Sequence, residues 1–236
     1  MAETLTLLPA HTKASHYFFL KRLIDLCLSI LLLVLLLPIM IVIAIAIMID
    51  SPGPVLFIQE RVGSKRISIN GHAMWVVQNF RVYKFRSMFH NAEEALHQAY
   101  IQNYVNGSEA LQYDAHGNPT RKLLNDPRVT RVGKLLRLTS LDELPQLINV
   151  IKGDMSLVGP RPVPVYEFAA YQPSHRERLA ALPGITGLWQ VKARCQVPFE
   201  DQIRLDVEYV RNQSLKLDLQ ILLLTIPAVL SGRGAG

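Results

Sequence analysis

The sequence "LCLSILLLVLLLPIMIVIAIAIMI", from Leu26 to Ile49, is a continuous apolar run that is long enough to span a bilayer. Pro38 lies near its middle, where a proline removes a backbone donor and bends a helix. It divides the run into halves that are each about 17 Å long as helix, close to the depth of one leaflet. The run therefore predicts either a hairpin that enters and leaves one leaflet or a kinked spanning helix.

Basic residues flank this run on both sides. They are Lys13, Lys21 and Arg22 before it, and Arg61, Lys65 and Arg66 after it. Positively charged flanks tend to stay on the cytoplasmic side of a membrane, so they favour a hairpin with both ends there. We therefore predict two parts, a membrane element over residues 1–50 and a polar domain over residues 51–236.

The composition fits a membrane element joined to a globular domain. Hydrophobic residues make up 50% of the 236 residues, but charged residues make up 19%, too many for a bundle of membrane helices. The net charge of +6 suits an anionic partner, such as a membrane surface or a phosphorylated ligand. Cys27 and Cys195 form no CxxC motif, and the histidines lack zinc-ligand spacing. The chain also lacks a nucleic-acid-binding motif, so we expect no nucleic-acid partner.

The rest of the chain has the pattern of an α+β domain that is mostly helical. Short strands are predicted at Gly53–Gly63 and Trp75–Met88, and helices at Asn91–Val105, Ser140–Ile151 and Val197–Asn212. Turn residues predict a loop from Asn106 to Arg128. A second apolar stretch, Leu219–Leu230, is too short to span a bilayer. It predicts an interfacial helix or a core helix that ends near Pro227.

Two acids stand side by side in "TSLDELPQL", from Thr139 to Leu147. Asp142 and Glu143 would lie in the first turn of a helix, where unpaired N–H groups and the helix dipole stabilise negative charge. Ser140 and Glu143 also have the spacing of a capping box. The simplest interpretation is therefore a helix cap with a solvated acid.

The charges around the acidic pair support a second interpretation. Basic residues lie on both sides of it, namely Arg121, Lys122, Arg128, Arg131, Lys134, Arg137, Lys152 and Arg161. Adjacent carboxylates among cations suit a divalent metal ion that bridges to a phosphate, with one acid on the metal and the other positioned to attack phosphorus. Arg161, in the rigid loop "GDMSLVGPRP", is either an ordinary surface arginine or a bidentate phosphate ligand. Trp189, in "PGITGLW", either packs in the core or stacks on a base.

Several motifs, which follow one another in a fixed order along the chain, resemble those of a known family. They are "KRLIDL", the proline-broken membrane run, "SPGPVLFIQERVG", "YKFRSM", "DPRVTRVGKLLRLTSLDELPQLINVIKGDMSLVGPRP", "PGITGLWQV" and "LDVEYVRNQSLKLDL". Together they resemble the monotopic phosphoglycosyl transferases, a family of bacterial sugar transferases. The resemblance extends from Lys21 to about Pro227. It implies transfer of a sugar 1-phosphate from a UDP-sugar to undecaprenyl phosphate, with release of UMP, as the first membrane step of exopolysaccharide, capsule, O-antigen or glycoprotein glycan synthesis.

The resemblance also implies roles for individual residues. Asp142 is the expected nucleophile, which forms a phosphosugar–aspartyl intermediate, and Glu143 is expected to bind Mg²⁺ beside it. The residues expected to bind substrate or phosphate are Arg86, Arg137, Arg161, Asp206 and Asp218.

The membrane element of this family is a re-entrant helix–break–helix. The resemblance therefore favours the hairpin, in the inner leaflet of the bacterial cytoplasmic membrane, with the catalytic domain facing the cytoplasm. Two features depart from the family pattern: Leu37-Pro38 stands where a Ser-Pro pair is common, and the insert Phe89–Leu124 is longer than in small members. The sequence allows a homo-oligomer but does not decide the oligomeric state. The alternatives are a non-catalytic membrane-anchored scaffold and a transferase that works by a single direct displacement.

Overall fold

The structure is a computed structural model that describes residues 7–9, 15–90, 112–113, 119–120, 126–192 and 197–230. The predicted helix Asn91–Val105, most of the predicted loop after it and Cys195 lie outside the described residues.

Strands and helices are mixed along the chain, as the α+β prediction requires. The strands are β1 Leu7–Pro9, β2 Leu56–Ile69, β3 His72–Phe85, β4 Gln112–Tyr113, β5 Pro119–Thr120, β6 Ser156–Val158, β7 Val163–Pro164 and β8 Gly184–Thr186. The α-helices are α1 Ser15–Asp50, α2 Arg131–Thr139, α3 Gln146–Lys152, α4 Val165–Ala169, α5 Leu188–Lys192, α6 Phe199–Asn212 and α7 Leu215–Leu230. Among the described residues, 3₁₀ helices lie at Leu141–Glu143 and Pro173–Leu179.

The main sheet is built on one long hairpin. β2 and β3 have 14 residues each and pair in register from Leu56–Phe85 to Ile69–His72. Asn70 and Gly71 both have positive φ, which a tight two-residue hairpin turn requires and which Asn-Gly adopts readily. β1 and β7 extend the sheet in the order β1-β3-β2-β7. The structure therefore confirms a strand at each predicted place, but the strands are long, because the prediction overlooked the Asn-Gly turn that joins them.

α1 is a single helix that contains the whole apolar run. It has 36 residues and is about 54 Å long if straight, more than the roughly 30 Å core of a bilayer. Its His16–Asp50 portion is long and apolar enough to cross a membrane. Residues on both sides of Pro38 are helical, so the predicted break there is not confirmed. Most of the apolar side chains of α1 are exposed, as expected of a helix that meets lipid.

Both ends of α1 dock on the same globular unit. Near its start, Arg22 donates hydrogen bonds to the Val150 and Ile151 carbonyls at the end of α3. At its other end, the Asp50 carboxylate accepts a hydrogen bond of 3.0 Å from the Val132 N–H, in the first turn of α2. In the same region Ile47 lies in a buried cluster with Leu136 of α2. The domain thus contacts α1 before and after the middle of the apolar run.

The core of the domain lies between the hairpin, α3 and the C-terminal helices. Trp75, Val150, Met155, Tyr209 and Ile221 are at most 2% exposed and belong to one cluster. The two-stranded hairpin alone would be marginal in water, so this packing is what stabilises it.

The helices near the C-terminus partly match the predictions. α6 confirms the helix predicted from Val197 to Asn212. α7 buries Ile221 but exposes a row of leucines on its other face, so it is not a core helix. It also continues through Pro227 to Leu230, so the predicted end near Pro227 was wrong.

Candidate active site

The two adjacent acids lie in the 3₁₀ helix between α2 and α3. Ser140 ends α2 in the left-handed conformation, with φ of 58°. Its side chain forms no capping hydrogen bond, and α3 begins only at Gln146, after Pro145. The predicted capping box was therefore wrong. The tight turn instead directs Asp142 and Glu143 towards the hairpin.

Asn149 fixes the distance between this turn and the hairpin. Its side chain is fully buried, accepts a hydrogen bond of 3.1 Å from the Tyr83 N–H and donates one of 2.7 Å to the Arg81 carbonyl. The Tyr83 N–H and the Arg81 carbonyl both belong to β3, so the Asn149 amide fixes α3 to this strand next to Lys84. Gly133 has a similar role in α2, because a Cβ there would collide with the backbone of Ser87 just after β3.

Glu143 lies between two cations. Its Oε1 accepts hydrogen bonds of 2.8 Å from Lys84 Nζ and 2.6 Å from an Arg161 terminal nitrogen. Burial alone would raise the pKa of this carboxyl, but the charges and hydrogen bonds of Arg161 and Lys84 lower it below the usual range for a glutamate. Glu143 is therefore ionised at neutral pH and is not the solvated acid of the simplest interpretation.

Asp142 shares the same cationic surroundings at longer range. It is 9% exposed, and its Oδ2 lies 4.0 Å from Lys84 Nζ. Burial lowers the pKa of the Arg137 guanidinium, while the negative charge of Asp142 opposes that shift. The structure brings Asp142 and Glu143 together with Lys84 and Arg161, and the roles predicted for Asp142, Glu143, Arg137 and Arg161 stay predictions.

Lys84 is a site residue that the sequence analysis missed. Burial lowers the pKa of its ammonium group, Glu143 opposes the shift and the positive charge of Arg161 adds to it. The motif "YKFRSM" contained the signal, but the neighbouring Arg86 was chosen instead. Lys84 is inside β3, whereas Arg86 follows the end of the strand and points elsewhere.

Arg86 holds the end of α1. Its guanidinium donates hydrogen bonds of 2.6 Å to both the Ser51 and Pro52 carbonyls, and its side chain is nearly fully buried. Both carbonyls follow Asp50, the last residue of α1, so Arg86 fixes the chain where it leaves this helix. Its predicted phosphate contact stays a prediction, and the structure does not group Arg86 with the acids.

Two more arginines, the half-buried Arg61 and the buried Arg178, hold the loop that carries Arg161. Arg61 donates a hydrogen bond of 2.7 Å to the Pro162 carbonyl, and Arg178 donates one of 3.1 Å to the carbonyl of Arg161 itself. Burial and the nearby charge of Arg161 lower the pKa of Arg61 to about 10. Neither arginine was selected from the sequence, where an isolated arginine has no distinctive pattern.

Asp206 acts on this loop through Arg178. The carboxylate is fully buried and accepts a hydrogen bond of 2.8 Å from Arg178 Nε. Burial raises its pKa to about 6, although Arg178 opposes the shift. Asp206 therefore contacts a residue that positions Arg161.

Asp218 joins α1 to the C-terminal helices. Its carboxylate accepts hydrogen bonds from Tyr17, Lys21 and Tyr209 at 3.0, 3.1 and 2.7 Å. The predicted substrate contacts of Asp206 and Asp218 stay predictions, and the contacts observed are structural. Trp189, in turn, is 6% exposed, which favours packing over stacking on a base.

The residues present fit the predicted Mg²⁺. Magnesium in phosphate-handling sites is held by one or two carboxylates and by substrate phosphate oxygens, so it does not require a cluster of three acids. Glu143 Oε1 is shared by two cations, whereas its Oε2 has one long hydrogen bond, of 3.4 Å, to Arg161. Oε2 and the neighbouring Asp142 are thus the oxygens suited to a metal ion.

The chain thus combines a helix long and apolar enough to cross a membrane with two adjacent acids that lie beside a lysine and an arginine. The family model of the bacterial sugar transferases matches residues 16–232. The chain therefore belongs to the bacterial sugar transferase family.

Three relatives illustrate the similarity. The galactosyl transferase CpsE of Streptococcus agalactiae serotype III (strain NEM316) is 44% identical over 184 residues, which are 78% of this chain and 36% of CpsE. The exopolysaccharide production protein ExoY of Rhizobium meliloti (strain 1021) is 44% identical over 173 residues, 73% of this chain and 71% of ExoY. The undecaprenyl-phosphate galactose phosphotransferase of Salmonella typhimurium (strain LT2) is 41% identical over 217 residues, 92% of this chain and 42% of that protein. The chain thus spans well under half the length of two of them.

Proposed function

We propose that this protein is a phosphoglycosyl transferase that moves a sugar 1-phosphate from a UDP-sugar to undecaprenyl phosphate and releases UMP. The observation that carries the proposal is the pairing of Asp142 with a Glu143 that two cations keep ionised. The relatives support the substrate class, since the Salmonella typhimurium protein is an undecaprenyl-phosphate galactose phosphotransferase and a 43% identical protein of Erwinia amylovora is a UDP-galactose-lipid carrier transferase.

The proposed reaction has two displacements at one phosphorus. An Asp142 carboxylate oxygen attacks the phosphorus that carries the sugar, the bond from this phosphorus to the bridging oxygen breaks, and UMP leaves with that oxygen. A phosphate oxygen of undecaprenyl phosphate then attacks the same phosphorus and breaks its bond to Asp142. The products are the lipid diphosphate sugar and a free carboxylate.

The other site residues stabilise negative charge during these steps. In this proposal Arg161 and Arg137 bind the diphosphate of the donor, and Lys84, which lies next to both acids, offsets their charge. Mg²⁺, held by Glu143 and Asp142, would supply further charge neutralisation at the leaving phosphate.

We also propose that α1 is re-entrant, with both ends on the cytoplasmic side of the membrane. A straight spanning helix would place Arg22 and Asp50 on opposite sides of the bilayer. Both residues nevertheless bond to the same domain, at α3 and α2. Bending at Pro38 would let the apolar middle enter the lipid while both contacts persist.

Nucleotide release tests the proposed reaction. Purified protein in detergent is mixed with undecaprenyl phosphate, Mg²⁺ and a panel of UDP-sugars, and UMP is measured. We expect metal-dependent UMP release from at least one sugar and its loss in Asp142→Asn. Release that survives this substitution would contradict the proposal, and absence of release with every donor would favour the scaffold alternative.

Cysteine labelling tests the topology. In a background with Cys27 and Cys195 replaced by serine, single cysteines are introduced at His16, in the first turn of α1, and at Gln59, after α1, so that they lie on either side of the apolar run. A re-entrant helix predicts that a membrane-impermeant maleimide labels neither in intact cells and both after permeabilisation. Labelling of one of them in intact cells would show a spanning helix.

A further inference from the structure

A basic cavity lies at the opposite end of α3 from the acidic pair. It has a volume of about 660 Å³. Its lining includes Gly153, which follows the C-terminal end of α3, and Arg22 of α1, which donates a hydrogen bond to the Val150 carbonyl there. Asp142 and Glu143 precede the helix, so α3 separates them from the cavity. None of the residues assigned above to the reaction lines it.

The lining carries mostly positive charge. Four cations, Lys21, Arg22, Lys65 and Arg66, face one carboxylate, that of Asp25. Asp25 already accepts hydrogen bonds from the Ser156 hydroxyl and the Leu157 N–H. The lining is therefore suited to an anion.

Two of the cations retain capacity for a ligand. Lys65 is exposed, and within the described part of the chain it has no ion-pair partner. The Arg66 guanidinium lies 4.1 Å from the centre of the Phe18 ring, and its Nε is buried without a hydrogen-bond partner among the described residues. A buried N–H without an acceptor costs free energy, which an anionic oxygen would recover.

The cavity lies beside the start of α1. Its aromatic lining residues are Phe18, Trp75 and Tyr209. Phe19, on the next position of the helix, is 69% exposed, and Leu23 one turn later is 49% exposed. Aromatic and basic residues at the start of an apolar helix are typical of the headgroup level of a bilayer.

We propose that this cavity binds the phosphate of an anionic phospholipid headgroup, with Lys65 and Arg66 as its principal ligands. The acyl chains would remain in the bilayer beside the exposed apolar face of α1. Basic pockets beside membrane helices bind lipid phosphates by the same combination of charge and depth. The site is separate from the proposed reaction and does not depend on it.

Thermal unfolding of the full chain in detergent micelles tests the proposal. Micelles are titrated with dioleoyl-phosphatidylglycerol or, in parallel, with dioleoyl-phosphatidylcholine. We expect the anionic lipid to raise Tm and the zwitterionic lipid to have little effect. The double variant K65Q/R66Q should need about thirtyfold more phosphatidylglycerol for the half-maximal shift, because each of the two basic residues adds about 1 kcal/mol of attraction to such lipids.

A matched control separates the cavity from general surface charge. The double variant K192Q/R204Q removes two exposed cations outside the cavity, both paired with carboxylates, and should respond to phosphatidylglycerol as the wild type does. If K65Q/R66Q folds poorly, Ser68→Glu places a negative charge at an exposed position of the lining and should weaken the response similarly.

Three results would overturn the proposal. Equal stabilisation by the two lipids would exclude recognition of an anionic headgroup. An unchanged response of K65Q/R66Q and Ser68→Glu would exclude the cavity. Equal stabilisation by inorganic phosphate or glycerol 1-phosphate, with displacement of the lipid, would identify a soluble phosphate ligand instead. Because the readout is lipid-dependent stability, none of these results depends on transferase activity.

Discussion

Glu143 and Asp206 are both acids that pair with an arginine inside the protein, but their surroundings act in opposite directions. Glu143 has two cations, and its pKa lies below the usual range. Asp206 has one arginine, is fully buried, and has a pKa raised to about 6. The first environment keeps a negative charge where a phosphate would bind, and the second uses a carboxylate to hold another side chain. The number of cationic partners and the depth of burial therefore distinguish the two roles, although both residues are acids in the sequence.

Glu143→Gln should have the largest effect on activity. The substitution removes the shared acceptor of Lys84 and Arg161 and one proposed metal ligand. We expect kcat to fall by about 10²–10³-fold, the usual cost of removing one charge-stabilising group from an active site. UMP release under saturating donor measures it. The matched control is Glu208→Gln, which removes an exposed acid paired with Lys192 and should retain full activity. A loss below about threefold for Glu143→Gln would contradict the role of its charge.

Arg178→Lys should have a smaller effect that is mainly on catalysis. Lysine cannot reproduce the planar fork that contacts both Asp206 and the Arg161 carbonyl. We expect kcat to fall by about tenfold through displacement of Arg161, with a smaller change in KM. Steady-state kinetics with a varied donor separate the two.

Arg211→Lys is the control for this substitution, because Arg211 forms an exposed pair with Glu177. A loss of thermal stability in Arg178→Lys with unchanged kcat would show that Arg178 is structural only.

The comparison also predicts different effects on stability. Because the folded pKa of Glu143 is depressed, its carboxylate stabilises the fold above the unfolded pKa, and this contribution is lost as pH falls through the folded pKa. The folded pKa of Asp206 is raised, so its contribution is present below the unfolded pKa and is lost as pH rises through about 6. At pH 7, Glu143→Gln should therefore lower Tm by more than Asp206→Asn does. Thermal unfolding in detergent measures both Tm values. A larger loss of Tm in Asp206→Asn than in Glu143→Gln would contradict the contrast drawn between the two acids.

The smallest predicted effect concerns the alkaline limit of activity. Burial lowers the pKa of Lys84, so its ammonium group should lose its proton below the ordinary pH for lysine. The rate should then decline, because Glu143 loses one of its two cations. Lys84→Arg should keep its charge and shift the decline to higher pH. Superimposable pH–rate profiles of the two proteins would show that Lys84 does not set this limit.

The membrane helix and the acidic pair were predictable from sequence because each has a local signal. An apolar run from Leu26 to Ile49 predicts a helix, and Asp142 with Glu143 among cations predicts phosphate chemistry. The length of the hairpin was also signalled, by Asn70-Gly71, but that signal was overlooked.

The other site features depend on contacts that are distant in sequence. Lys84 meets Glu143 only because Asn149 fixes α3 to β3. The capping box at Ser140 fits the local pattern, but the left-handed conformation of this residue and the cations facing Glu143 prevent it. Asp206 was predicted to contact substrate, yet the partner that defines its environment, Arg178, lies in a different helix. The Lys84–Glu143 contact and the Arg178–Asp206 contact therefore have no local sequence pattern that would predict them.

The most direct test of the account is the identity of the residue that carries the sugar phosphate. The protein is incubated with a UDP-sugar that supports UMP release, without undecaprenyl phosphate, then quenched in acid, digested and analysed by mass spectrometry. The account predicts a sugar-phosphate adduct on Asp142 that disappears when undecaprenyl phosphate is added and never forms in Asp142→Asn. UMP release that requires undecaprenyl phosphate and leaves no adduct, or an adduct on Glu143, would contradict it.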